Sequence, residues 1–435
     1  MEHRGERAAS ERHGLRQLLD QLGPVAGGLV VLGLGSFGFL SLAGRALGPV
    51  DFAPVATLWV LFNAAALAFY QPIEQELGRA TADRLTVGAG ARPVLVRCLI
   101  VGSAATCLVA ALVVAFLEPV SRQVFSGRTS LVWLQLLGMS GLFAAHVYRG
   151  LFSGNERFDR YGRQLVWDGL LRVVLPGALV LVAAGTTTSL SLALVLAPIL
   201  AVALTAGRLE PLARPGPPIP WRELLPALGT LTVAAVLSQL IVNAAPLAAQ
   251  LLATPADADR VGIFIAALVF TRIPLFFFGA VQATFLPALA RLSALGDRSG
   301  FLRQTRLVLL GVSAAGAAFV LGLAAIGPWV LQLLYGPEFD SRRDVLALLG
   351  LGAAAYMVAQ ALAQALIALR AYRSPLYAWA AGSAMFFAGL LLPLPLETRV
   401  AVALLCGGGV GAAVMAALLF RALRAVPSET VRRSG

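Results

Sequence analysis

Arg272 sits in an otherwise apolar run, VGIFIAALVFTRIPLFFFGAVQATFLPALA, from Val261 to Ala290. A cation near the middle of a membrane-spanning stretch costs roughly 2.5–3.5 kcal/mol on insertion scales, so a chain keeps one where it faces protein or water. Its i±3 and i±4 neighbours are Leu268, Val269, Leu275 and Phe276, which offer no acid on the same helix face. The chemistry this predicts is recognition of a polar cargo inside a transporter. Other polar side chains recur at helical spacing in apolar surroundings. Gln239 and Asn243 lie four apart, with Pro246 just beyond; Tyr356, Gln360 and Gln364 repeat the spacing; Asn63 and Gln282 stand in two further runs. Residues four apart share a helix face. Amides also hold transmembrane helices together, but stripes in four separate runs point to a shared aqueous cavity.

A second group sits at the ends of these runs. Glu74, Glu76 and Arg79 in QPIEQELGR are read either as a solvated helix end or as an inner gate closing against Arg291. Asp168 and Arg172, acid first and four apart, suit a structural pair on one helix. Several apparent motifs fail their context. Gly33, Gly35 and Gly38 match GxGxxG without a preceding strand, which suggests close helix packing rather than a dinucleotide. Asp257-Ala-Asp259 lies on a short turn without other ligands, and His146 has no catalytic partner close in sequence. Cys98, Cys107 and Cys406 lie in apolar runs and give neither a disulfide framework nor metal spacing. No catalytic residue, metal site or cofactor is expected.

The elements that must position these residues are membrane helices. The chain has 435 residues, is 58% hydrophobic and 13% charged, and its mean hydropathy is +0.81. These values lie far from those of soluble domains. Apolar stretches long enough to cross a bilayer fall near 22–42, 54–73, 98–117, 130–152, 166–185, 190–207, 224–252, 261–290, 307–327, 345–368, 376–395 and 400–420. Of the 34 basic residues, all Arg, twenty-five lie before span 1 or at and after the ends of even-numbered spans, Arg149 among them, and seven lie in the alternate loops. Positive loops mark the cytoplasmic side. Both termini are therefore expected inside a cell inner (plasma) membrane, and the net charge of +12 reports topology rather than nucleic-acid binding.

The Pro-rich stretch RPGPPIP between spans 6 and 7 is a semi-rigid break. It yields an N-terminal arm (1–21), an N-lobe (22–212), a linker (213–222), a C-lobe (223–424) and a tail (425–435). The expected fold is an all-α polytopic membrane protein, with twelve transmembrane helices in two six-helix lobes around a central cavity. The halves echo each other weakly, in the manner of parallel repeats that rock about a central site.

Five stretches carry a resemblance: RALGPVDFAPVATLW; QPIEQELGRA; FSGNERFDRYG with GLLRV; FTRIPLFFFGAVQATFLPALARL; and LYGPEFDSRRDVLALLGLGAAAYMVAQALAQALIALRAY. Together they resemble the polysaccharide-biosynthesis (Wzx-type) oligosaccharide flippases of the multidrug/oligosaccharidyl-lipid/polysaccharide exporter superfamily. The resemblance implies a polyprenyl-pyrophosphate-linked glycan as cargo, carried between leaflets by alternating access for cell-surface polysaccharide synthesis. Membrane lipids, and glycosyltransferases or a polymerase of the same pathway, are the implied partners. Arg272 looks like one of the cavity Arg residues of lipid II flippases. However, the chain lacks two further C-terminal spans common in that group, and its first span has no buried cation. Lipid II therefore ranks below other glycans. The rival reading is an ion-coupled exporter of small molecules, which calls for an acid deep in a span. A membrane glycan polymerase or ligase would need a sizeable external loop that this chain does not have.

Overall fold

The computed structural model describes residues 2–207, 212–275, 278, 285, 289, 291–293, 295–369, 371 and 373–425. Every regular element among them is helical. Helix α1 (Glu2–Ala65) is broken at Gly48, whose φ of 68° lies in the left-handed region that only glycine enters without strain. It runs through a π-helical turn, Ala66–Tyr70, into α2 (Gln71–Thr86), which starts with Pro72 in its first turn. There follow α3 (Arg92–Ala115), the short α4 (Leu117–Val124), α5 (Thr129–Gly154), α6 (Phe158–Leu181) and α7 (Thr187–Thr205). Then come α8 (Trp221–Leu252), α9 (Ala258–Phe270), α10 (Arg298–Tyr335), α11 (Arg343–Ala368), α12 (Arg373–Gly389) and α13 (Leu396–Ala425).

Eight helical stretches among the described residues are long and apolar enough to cross a membrane. The first, Gly23–Thr86, contains the Gly48 break and holds two expected crossings. Helix α8, helix α9 and the 17-residue α12 fall at the other three expected positions. Thus the chain is a multi-pass, all-α membrane protein of twelve helical spans. Helix α10 has 38 residues, about 57 Å at 1.5 Å per residue. It outruns the roughly 30 Å hydrocarbon layer and ends well beyond the expected 307–327.

The chain divides into two compact units, Met1–Leu47 with Thr57–Val236 and Gly48–Ala56 with Leu237–Gly435. The Pro-rich linker and the first half of α8 thus belong to the first unit, and a short piece of α1 belongs to the second.

In the first unit, α2 and α7 pack on α5, and α6 packs on α7. Glycines let α1 lie directly on α6. A Cβ at Gly28 would stand 2.7 Å from Gly162 O, one at Gly35 would overlap the Gly169 backbone, and one at Gly38 would be 2.9 Å from Val173. The GxGxxG match is therefore a helix-packing surface, as its context suggested. In the second unit, α11 and α12 pack on α13, and α10 packs on α11. Gly407 supports that contact, because a side chain there would meet Gly382 O and Phe386 at 3.0 Å.

Loop parity agrees with twelve crossings. Segments expected on one side of the membrane meet: Arg84 donates to Gly90 O and Pro217 O, Arg92 N–H to Arg214 O, and Asn155 to Leu212 O. On the opposite side, Ser130 and Thr188 hydroxyls are 3.3 Å apart. In the second unit the stretch after Gly48 meets two loops of its own expected side. Phe52 makes edge-on contacts with Tyr335 (5.6 Å) and Phe339 (5.4 Å), and Gly262 lies directly against Pro49.

Candidate functional site

The second unit assembles a polar cluster around a break in the expected eighth span. Helix α9 ends at Phe270, and Thr271 and Arg272 form a turn before helix resumes at Ile273. Two local causes act together. Pro274 has no N–H to offer the carbonyl four residues back, and the Thr271 hydroxyl donates to Leu268 O at 2.8 Å, competing with the helix ladder. The ladder tightens accordingly, with Arg272 N–H on Val269 O and Leu275 N–H on Arg272 O.

The break turns the guanidinium towards α8. Arg272 Nη1 donates to Asn243 Oδ1 at 3.2 Å, and Asn243 Nδ2 donates to Gln239 Oε1 at 2.6 Å. The i,i+4 spacing of the two amides is what permits the relay. From α11, Gln360 Nε2 donates to the Tyr356 hydroxyl at 2.9 Å. The Tyr356 ring stacks on Trp379 with centroids 5.3 Å apart, which fixes where its hydroxyl points.

Arg272, Thr271 and Tyr356 line one cavity of about 20 Å³, closed by Leu268, Leu275 and Leu404. That volume holds about one water molecule. The cluster is a set of pre-oriented donors rather than a cargo-sized chamber in this state. Five of the eight expected cavity residues (Arg272, Gln239, Asn243, Tyr356 and Gln360) fall in this unit within two connected hydrogen-bonded groups.

Two of the other three stand apart. Gln364 is one turn beyond Gln360 on α11 and half-buried. Asn63 belongs to the first unit and donates to Trp59 O within its own helix at 2.7 Å. Gln282 lies outside the described residues.

The expected gate residues separate into two kinds. Arg79 clasps buried Glu76 through Nε (2.9 Å) and Nη2 (2.6 Å), and reaches Asp83 at 2.6 Å. Arg291 is exposed in the second unit. Glu74 instead turns inward, accepting from the Tyr161 hydroxyl at 2.5 Å and lying 2.6 Å from His146 Nδ1. His146 therefore does have an acid beside it, which 72 residues of separation hid from the sequence.

This contact continues into the interior of the first unit. Arg149, buried on α5 rather than a loop charge, lies within electrostatic reach of Glu74. It donates to Asp168 at 3.3 Å. Asp168 also accepts from Arg172 Nε at 2.9 Å, as its i,i+4 spacing predicts, and Arg172 donates onward to Ser36 on α1 at 2.9 Å. Gln164 is fully buried on the same helix, and neither its Oε1 nor its Nε2 has a partner among the described residues. A buried side chain with neither polar atom partnered is uncommon.

Comparison with known proteins fits this architecture. No family model matches the chain. A Mycobacterium tuberculosis protein, the uncharacterized Rv1510, is 29% identical over 392 residues, covering 87% of both chains. A second, the uncharacterized Rv3630, is 27% identical over 405 residues and 90% of both. Among solved structures, an inward-facing multidrug resistance MATE family transporter of the MOP superfamily superposes with a TM-score of 0.71, at 15% identity. It covers 94% of this chain and 96% of its own. The Vibrio cholerae MATE transporter VcmN in its bent form gives 0.59, also at 15% identity, over 94% and 97%. The chain thus has the fold of the MATE transporters over 94% of its length.

Proposed function

We propose that the protein is a transporter that moves a polyprenyl-pyrophosphate-linked oligosaccharide from the inner to the outer leaflet by alternating access. Arg272, held by the Asn243–Gln239 relay and facing the Tyr356 hydroxyl, is its anion-recognition group. That cluster carries the reading. A guanidinium offers a rigid fork of donors matched to phosphate oxygens. An amide oxygen orients it as a dipole, without cancelling its charge as a carboxylate would. A diphosphate with attached sugars cannot cross hydrocarbon unaided, because stripping its hydration is prohibitive. Gln360 and Gln364 on α11 supply donors and acceptors suited to sugar hydroxyls. Both termini are then cytoplasmic, the membrane is the plasma membrane, and the partners are glycosyltransferases or a polymerase of the same pathway. Lipid II remains the lower-ranked cargo.

The test is leaflet transfer of a fluorescent polyprenyl-pyrophosphate oligosaccharide in proteoliposomes. Arg272→Ala is expected to abolish transfer while the purified variant keeps its melting temperature within a few degrees. Wild-type transfer rates in that variant would remove Arg272 from cargo binding.

A second reading, an ion-coupled exporter of small molecules, is favoured by one observation. The Glu74–His146–Tyr161 contact puts a carboxylate and an imidazole inside the first unit, as an H⁺-coupled carrier requires. Substrate-dependent proton counterflow that Glu74→Gln removes, with no glycan-lipid transfer in the unaltered protein, would favour that reading over the first.

A further inference from the structure

The first unit holds a hollow of about 350 Å³ that the transport reading does not use, between the start of α3 and the Pro-rich linker. Arg92 and Arg97 stand one and a half turns apart on α3, facing Pro218 and Trp221 across it. The Arg97 guanidinium lies over the Trp221 ring, 4.6 Å from its centroid. Its Nη1 is buried, yet it makes no hydrogen bond among the described residues. Among the described residues neither Arg92 nor Arg97 has a carboxylate partner. The hollow is therefore a cationic corner whose walls are otherwise aliphatic or aromatic.

Its rim is firmly built. Arg92 N–H donates to Arg214 O at 3.0 Å, and Arg84 is bonded to both Gly90 O and Pro217 O. Gly216 lies so near Gly90 that a Cβ would come within 2.5 Å of its carbonyl oxygen. Beside Arg97 and one turn beyond it, α3 turns Val96 (45% exposed) and Ile100 (52% exposed) outward as one continuous strip. Charge at the foot of a helix with an apolar strip rising from it has the shape of a bilayer phospholipid: phosphate below, acyl chain alongside.

We propose that this hollow binds the phosphodiester headgroup of an anionic phospholipid. The leaflet is the one facing the linker, and Arg92 and Arg97 take the phosphate while Val96 and Ile100 take the first acyl carbons. Basic pockets beside transmembrane helices on the cytoplasmic side suit such headgroups. The Trp221 ring fixes the Arg97 fork and sits where amphipathic aromatics prefer to be, at the interface. Occupancy would tie α3 to the linker that leads into α8. This site is independent of the Arg272 cluster and of what the protein carries.

The full chain is reconstituted in nanodiscs of equal parts phosphatidylglycerol and phosphatidylcholine, and retained lipid is read by native mass spectrometry. Selective retention of phosphatidylglycerol is expected, unaffected by millimolar inorganic phosphate. Each of Arg92→Gln and Arg97→Gln should weaken retention about fivefold, as expected for one Arg at an anionic surface. Arg92 is exposed and its side chain makes no hydrogen bond within the protein, so Arg92→Gln reads the site even where Arg97→Gln or Trp221→Leu disturbs folding. Equal retention of phosphatidylcholine, unchanged retention in Arg92→Gln, or displacement by inorganic phosphate would each overturn the proposal. The last would assign the corner to a free anion.

Discussion

Arg residues reach into both units, fully buried in the first and half-buried in the second, and they are supported differently. In the first unit Arg149 and Arg172 both lean on the Asp168 carboxylate, Arg172 continuing to Ser36. In the second, Arg272 leans on the Asn243 amide, itself oriented by Gln239. A carboxylate neutralises a guanidinium inside the fold; an amide aims it and leaves the field in place. Under the proposed function, the first kind of charge holds helices together and the second is kept for the anion of the cargo.

The sharpest way to break this comparison is thermal unfolding in detergent. Asp168→Asn strands two buried guanidiniums, and loss of one partner of a buried ion pair costs about 3–5 kcal/mol. Arg272→Gln removes a charge rather than orphaning one, so its melting temperature should move far less. Equal shifts in the two variants would erase the distinction.

Next in size is Gly35→Val, which drives a branched side chain into the Gly169 backbone. Overpacking of this kind costs about 1–3 kcal/mol and should lower the folded yield read by size-exclusion chromatography. Asn243→Ala should cost only about 1 kcal/mol, a typical net hydrogen bond, yet slow transfer markedly, because it removes the amide oxygen that helps to aim Arg272. A variant that transports at full rate would make the relay ornamental.

The smallest effect belongs to Asp257, in the short loop before α9. The hydroxyl and backbone N–H of Thr254 hold its carboxyl below the usual carboxylate range. Its contribution is thus complete above the unfolded value near 4 and fades as pH falls through the lower folded value. Because the folded and unfolded values both lie at or below about 4, the melting temperature should stay flat from neutral pH down to about 5.

Sequence periodicity and the spread of Arg were enough for the helical class, the twelve spans and the parity of the loops. These depend on length and hydropathy along the chain. The Asp168–Arg172 pair and the Gln239–Asn243 relay were legible for a related reason, since both are one helical turn long. What stayed hidden joins distant helices: Glu74 with His146, Arg149 with Asp168, and Arg272 with Asn243, 29 residues away. Nothing local marks such pairs. Arg149 was the least legible of all, because its position near a loop mimicked a topological charge.

The piece of α1 that follows the Gly48 break has a further consequence, for biosynthesis. Phe52 leaves the ribosome early, whereas Tyr335 and Phe339, on which its ring rests, appear roughly 280 residues later, about 15–60 s at ordinary elongation rates. Throughout that wait a nascent chain carries Pro49 and Phe52 without their final neighbours. A protein halted before Tyr335 would expose them permanently, giving quality-control proteases a mark of an unfinished chain.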